Sequence, residues 1–401
     1  MGDGNDYQEE RRQLTRAGGQ KSFIPYGRQL VDDEDVAAVV EAMKGERLTQ
    51  GPLVEEFERE LALYCGSKHA VAVTNGTAAL QLALSATGLG QGDEGITSPI
   101  TFIAGAHCMI SCGARPVFAD IDRNTLNIDP AEIEKKVTEK TRVIMPVHFA
   151  GLPCEMEAIR EIAAKRGITI IEDACHGLGG TYGGERIGAT HGTDMVCFSF
   201  HPVKHITTGE GGAVLTENDE LAAKLKRLRH HGITRDADLM TQFDGPWYYE
   251  AKETGTNARL TDVQCALGLS QLRKLDRFLE RRLEIAQRYL EELADIEGLR
   301  FQKVDGDRTH AYHLFVIHLD PRKYDRLKVF RTLTSASIGT QVHYIPVNRQ
   351  PSVIEKAGFQ GSLHNADDYY AGCLSLPIFP GLSVSEQDHV ISVLKTTLQE
   401  K

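Results

Sequence analysis

Ile168-Thr-Ile-Ile-Glu-Asp173 and, further along, Cys197-Phe-Ser-Phe-His-Pro-Val-Lys204-His-Ile-Thr-Thr-Gly-Glu-Gly-Gly212 decide how this chain is read. The first is a continuous apolar run that ends in two carboxylates. It predicts a buried strand with Glu172 and Asp173 at its C-terminal end. Ligands of open α/β sheets bind beyond the carboxyl ends of their strands. His176 follows three residues later. The second stretch places one lysine, Lys204, in an apolar loop rich in Gly and Thr, between two expected strands.

The pattern repeats outward. Short apolar runs at Pro116–Ala119, Val143–Val147, Ile168–Ile171, Met195–Phe198 and Ala213–Thr216 alternate with helical stretches near 130–137, 154–165 and 218–229. Strands with no polar alternation, separated by helices, imply a mostly parallel sheet covered on both faces. Val36, Val39, Val40 and Met43 mark a helix opened by Asp32 and Asp33, and Thr77–Thr87 a second one opened by Asn75-Gly76. A long charged helix is expected over 262–297, followed by a smaller α+β unit. Its strands are expected at Tyr312–Leu319 and Gln341–Tyr344, and its last helix near 384–398. The expected division is a loose tail over 1–20, a large domain over 21–290 and a small C-terminal domain over 291–401.

Composition narrows the function. Lys+Arg number 45 against 56 Asp+Glu, a net charge of −11. With neither a basic excess nor a basic run, a nucleic-acid partner is not expected. No apolar run approaches the roughly 20 residues of a membrane span, and the start has no secretory pattern. The eight cysteines are scattered without a C-x-x-C pair. They read as reduced thiols of a cytoplasmic protein, and no metal site is expected.

A lone lysine is ordinarily a solvated charge, but Lys204 has context. A strand and Ser199 precede it, Thr-Thr-Gly-Glu-Gly-Gly follows it, and the strand-end Asp173 lies 31 positions upstream. These are the parts that a pyridoxal 5′-phosphate (PLP) enzyme needs. A lysine amine forms a Schiff base, a carboxylate keeps the pyridine nitrogen protonated, and hydroxyls and backbone amides hold the phosphate. Thr74-Asn-Gly-Thr-Ala-Ala79 opens a helix, so its free amides and dipole suit an anion.

The chain resembles the DegT/DnrJ/EryC1/StrS family of nucleotide-sugar aminotransferases over about residues 22–398. The resemblance rests on Leu48-Thr-Gln-Gly-Pro52, Asn75-Gly-Thr-Ala-Ala79, Pro99-Ile-Thr-Phe102, Glu172-Asp-Ala-Cys-His176, Ser199-Phe-His-Pro-Val-Lys204, Gly209-Glu-Gly-Gly212, Gly255-Thr-Asn-Ala-Arg259 and Val342-His-Tyr-Ile-Pro346. It implies the type I aminotransferase fold and PLP as cofactor, with the pyridoxamine 5′-phosphate form arising in turnover. Within the family, Ile24-Pro-Tyr-Gly-Arg28 and Phe198–Gly212 look most like the transaminases of the pseudaminic acid pathway. That likeness implies L-glutamate as amino donor and a UDP-4-keto sugar as acceptor. A perosamine-type enzyme using a GDP sugar and a non-catalytic regulatory protein of the same fold are the alternatives.

By the same resemblance, Lys204 would carry the cofactor and move the proton at C4 of the sugar. Asp173 would face the pyridinium, His176 the phenolic oxygen, and Phe102 the ring face. Gly76, Thr77 and Ser199 would bind the phosphate. Asn257 would reach the cofactor phosphate of a neighbouring subunit, which implies an obligate homodimer. His343 and Tyr344 would lie at the sugar. Taken singly, Phe102 reads as core, His176 as a structural histidine, Asn257 as a helix cap, and His343 and Tyr344 as strand residues. Many family members carry Ser where Asn75 stands, which leaves the amide donors unaffected. Related sugar dehydratases carry His in place of the lysine, so Lys204 favours transamination.

Overall fold

The computed structural model describes residues 23–189, 191–358 and 361–399, so the tail expected over 1–20 lies outside the described residues. The main sheet has seven strands: β1 (His69–Val73), β2 (Glu94–Thr97), β3 (Arg115–Phe118), β4 (Thr141–Met145), β5 (Thr169–Asp173), β6 (Met195–Ser199) and β7 (Gly212–Thr216). Their spatial order is β1-β7-β6-β5-β4-β2-β3. Only β7 runs antiparallel to its neighbours.

Both faces of the sheet are covered, which is why its strands carry apolar residues at successive positions. Successive strand residues point to opposite faces. Val71, Val73, Cys197 and Val214 pack into one core with Leu80 and Leu84 of the helix Gly76–Thr87. Their neighbours Ala70, Ala72, Val196, Phe198, Ala213 and Leu215 pack into the other, with Phe57, Leu61 and Leu269. β1 and β2 carried no strong sequence signal. The first alternates with small Ala70 and Ala72, and the second is four residues long and starts with a Glu.

The expected long helix is two helices, Asp262–Leu272 and Leu275–Leu293. No Gly or Pro marks the break. Lys274 is drawn inward instead, its Nζ 2.6 Å from Asp32 Oδ1 and 2.7 Å from Asp35 Oδ1. The first helix is capped by Thr261, not by Asn257. The second starts in the core beside the main sheet, through Leu275. It ends among Ile285, Tyr289 and Leu293, against a second, antiparallel sheet. That sheet is built from β8 (Leu299–Phe301), β9 (Phe315–Leu319) and β10 (Cys373–Leu376). The closing helix is Val384–Gln399.

Gln341–Tyr344 forms no strand; a single bridge joins Gln341 to Ser375. His343 and Tyr344 both line one cavity, whereas successive residues of a strand face opposite ways. Among the described residues, no helix is long and apolar enough to cross a membrane, and no group of three His, Cys, Asp or Glu is placed to hold a metal ion.

Candidate active site

The C-terminal ends of β1, β5 and β6 and the start of β7 meet at one edge of the sheet. Gly212 lies opposite both Val73 and Ser199. A cavity of about 740 Å³ opens there, lined by Gly76, Thr77, Phe102, Asp173, His176, Ser199, Lys204, His343 and Tyr344 among others. Nine of the residues singled out in the sequence thus share one cavity. Asn257 does not line it. It is exposed and bridges to His230 on the outer side of β1.

Lys204 sits on a loop closed at its base. The Phe200 amide donates to Gly211 O at 2.8 Å and the Thr208 amide to Phe200 O at 3.0 Å. The Thr207 hydroxyl donates to Phe200 O and the Thr208 hydroxyl to Glu210 O. The Thr pair therefore shapes the loop and is not free for a ligand. His205 is turned away from the cavity, its Nε2 3.0 Å from Ala311 O. Loss of solvation lowers the pKa of the Lys204 amine, with Cys175 and Asp173 acting against that shift. Burial therefore makes this amine easier to deprotonate than a solvated lysine.

Asp173 ends β5, and its Oδ1 accepts the Cys175 amide at 3.1 Å, which fixes the turn toward His176. Below it, Glu172 is buried and takes hydrogen bonds from Thr193 Oγ1 (2.6 Å) and His148 Nε2 (2.7 Å). Cys154 donates its amide to His148 Nδ1, so the ring proton sits on Nε2. This network anchors the strand end from beneath.

Asn75 caps the helix Gly76–Thr87, its Oδ1 accepting the Ala78 amide at 2.8 Å. Helix geometry leaves the first amides, at Gly76 and Thr77, without intrahelical partners. Gly76 has no room for a side chain, since a Cβ there would lie 2.8 Å from Ser199 Cβ. The amides and the Ser199 hydroxyl are thus brought together. Phe102 is 59 % exposed, a large apolar surface left open at the cavity.

His176 is buried, its Nε2 3.3 Å from Tyr344 Oη, and its Nδ1 has no partner among the described residues. Burial and the charge of Lys204 hold it well below the usual histidine range. His343 bonds Ser375 Oγ at 2.8 Å, and burial together with Lys204 pushes it down to about 3. Arg259 bonds His230 Nδ1 at 2.6 Å.

Sequence reasoning missed His313. Its Nε2 lies 3.4 Å from Lys204 Nζ, and its ring centroid 4.3 Å from that of His176. Lys204 and His313 are 109 positions apart in the chain. The only sequence cue was a histidine at the start of an expected strand.

Residues 29–395 match the DegT/DnrJ/EryC1/StrS aminotransferase family. The chain belongs to this family. It is 43% identical over 377 residues to the spore coat polysaccharide biosynthesis protein SpsC of Bacillus subtilis (strain 168), covering 93% of this chain and 96% of that protein. Among solved structures, Helicobacter pylori PseC, an aminotransferase of pseudaminic acid biosynthesis, superposes with a TM-score of 0.86. The two are 30% identical over 95% of this chain and all of that one. Spr1654 from Streptococcus pneumoniae, solved in PLP and PMP forms, superposes with a TM-score of 0.87. It is 28–29% identical over 94% of this chain and 99% of that one. The chain is a PLP-dependent sugar aminotransferase of the type I fold.

The cavity fits that cofactor on its own terms. It offers an amine, a carboxylate at a strand end, an unpartnered imidazole nitrogen, an open aromatic ring and a helix N-terminus whose glycine admits close approach. Among the described residues, Lys204 is the only Lys or Arg lining it, so a phosphate there would rest on amides and hydroxyls.

Proposed function

We propose that this enzyme moves the amino group of L-glutamate to C4 of UDP-2-acetamido-2,6-dideoxy-β-L-arabino-hex-4-ulose. The products are 2-oxoglutarate and UDP-4-amino-4,6-dideoxy-N-acetyl-β-L-altrosamine. The observation that carries the reaction type is the convergence of Lys204, Asp173 and the Gly76–Thr77 amides on one cavity. The sugar rests on the likeness to PseC across nearly the whole chain.

PLP, when bound, supplies the electron sink that lets a proton leave and re-enter the carbon bearing the nitrogen. The chain supplies the rest. Asp173 keeps the ring nitrogen protonated. The Gly76 and Thr77 amides and the Ser199 hydroxyl hold the phosphate, helped by the helix dipole. Phe102 and His176, which line the same cavity, would help to hold the cofactor ring. Lys204 would hold the cofactor, and its Nζ would take and return the proton at C4 of the sugar. Its lowered pKa suits that task, because a base must be neutral to accept. His343 and Tyr344 border the sugar. Asn257, exposed and outside its own cavity, serves the phosphate site of a second copy in a homodimer. The division into a domain over 21–290 and one over 291–401 is part of the same reading, as is action in the cytoplasm.

A second reading has its own support. Identity to the spore coat polysaccharide protein (43%) exceeds that to PseC (30%), which favours another nucleotide-4-keto sugar destined for a surface polysaccharide. One experiment separates the two. The PLP-loaded enzyme is given L-glutamate and a panel of UDP-, GDP- and dTDP-4-keto sugars, and 2-oxoglutarate release is followed. Turnover with the UDP-linked 2-acetamido sugar supports the first reading. Turnover only with GDP- or dTDP-linked sugars refutes it.

A further inference from the structure

His313 does not line the cavity; it lies behind Lys204, 4 % exposed, on the stretch that leads into β9. That stretch is fixed from several sides. The Ala311 amide donates to Gly151 O at 2.9 Å and the Leu314 amide to Ala150 O at 3.1 Å. His205, next to Lys204 on the same loop, bonds Ala311 O. The strongest tie is Arg282, 1 % exposed, whose Nη1 donates to the carbonyls of Tyr312 (3.1 Å), His313 (3.3 Å) and Ile378 (3.1 Å).

A buried guanidinium is costly unless something is gained from it. Burial alone acts on the Arg282 charge, with no carboxylate to offset it among the described residues, and its Nε has no partner there. Arg282 therefore spends a buried charge on three carbonyls, two of them at His313 and the residue before it. Burial disfavours a proton on His313, and the charges of Lys204 and Arg282 add to that. With its proton on Nδ1, which has no partner among the described residues, a neutral imidazole can accept at Nε2 from an amine, neutral or protonated.

We propose that His313 is a positioning residue for the Lys204 amine. Its Nε2 accepts one N–H of Nζ from outside the cavity and turns the nitrogen's lone pair toward the reacting carbon, while Arg282 holds the segment in place. The inference rests on the reading of Lys204 as the base at C4 of the sugar. The charged and titratable groups around Nζ are Asp173 at the end of β5, Cys175 just past it, His176 in the same turn, His205 on its own loop, His343 from the 341–346 segment, and Arg282 behind His313. Of these, only His313 makes a hydrogen-bond contact with Nζ. A hydrogen bond to a charged donor is stronger than one to its neutral form. The contact therefore favours the ammonium and offsets part of the depression that burial imposes.

The test compares His313→Gln with His313→Asn. A Gln amide reaches where Nε2 stands; an Asn amide falls short of it. The cofactor-free protein is treated with acetic anhydride across a pH series, and acetylation of Lys204 is measured by peptide mass spectrometry. The midpoint reports the pKa of Nζ without any catalytic step. In His313→Asn the midpoint should fall by about one pH unit, and in His313→Gln it should stay near wild type. With PLP and sugar bound, His313→Asn should lower kcat about tenfold or more, leave KM within about twofold, and move the acid limb of the kcat profile to lower pH. His313→Gln should recover most of kcat. Circular dichroism checks that each variant is folded. An unchanged midpoint in folded His313→Asn overturns the proposal, as does an equal shift in both variants. The acetylation result stands apart from whether Lys204 carries the cofactor. A failure of that reading would be seen in cofactor attachment instead.

Discussion

Gly212→Ala tests whether the sheet edge builds the proposed phosphate seat. Gly212 opens β7 and lies between Val73 and Ser199. A Cβ there would sit 2.6 Å from the carbonyl carbon and oxygen of Asn75 and 2.8 Å from Phe198 O. All three are backbone atoms, so no side chain can swing aside. Carbon contacts are optimal near 3.5–4.0 Å, so the gap must open by about 1 Å. Overpacking of this kind costs about 1–3 kcal/mol. The strain falls on Asn75, one residue before the Gly76 amide, and so carries the amide donors away from Ser199. Losing one hydrogen bond to a charged group, about 1.5 kcal/mol, weakens PLP binding about tenfold. The assay pairs urea unfolding of the cofactor-free protein with titration of PLP by absorbance. The account expects a lower urea midpoint together with the weaker PLP affinity. A variant that unfolds more easily yet binds PLP as wild type does would refute the placement of the phosphate at the Asn75–Gly76 turn.

Asn75→Ala removes the cap on Ala78 and should cost about 1 kcal/mol of stability. Asn75→Ser should cost far less, and both should bind PLP within about twofold of wild type, since the amides remain; urea curves and PLP titration check this. Asp173→Asn keeps an acceptor for the Cys175 amide, so the fold should survive, while turnover drops by at least about a hundredfold, as 2-oxoglutarate release would show. Burial raises the pKa of Glu172, but the hydrogen bonds from His148 and Thr193 outweigh it and leave the carboxyl below its usual 4.5. With the folded value lowered, its stabilisation is present above about 4.5 and is lost as pH falls through the folded value. Glu172→Gln should therefore flatten the acid side of a urea-midpoint profile taken from pH 7 down to pH 3, and an unchanged slope would count against the network.

The sheet was readable because burial on both faces leaves little choice of residue along its inner strands. Ile170–Ile171 and Met195–Phe198 are apolar at successive positions for that reason, and the polar residues that close these runs include Asp173 and Ser199. Lys204 and Gly76 were readable from their loops, where Gly and Thr mark backbone that must turn or approach closely. His313 was hidden because its contact with Lys204 depends on how the small sheet docks, and Arg282 because its partners are carbonyls, which no side-chain pattern reveals. The break before Leu275 was hidden for a similar reason: Lys274 leaves the helical path to meet Asp32 and Asp35 from a distant helix start. The 341–344 segment looked like a strand by composition, but the cavity draws both His343 and Tyr344 to one side.

The central claim is that Lys204 holds the cofactor. Reducing the PLP-loaded protein with sodium borohydride fixes the cofactor to whichever lysine carries it, and peptide mass mapping then names that lysine. The account predicts a phosphopyridoxyl group on Lys204 and none on Lys204→Ala. A label on another lysine, or an unlabelled wild-type protein that still turns over, would contradict it.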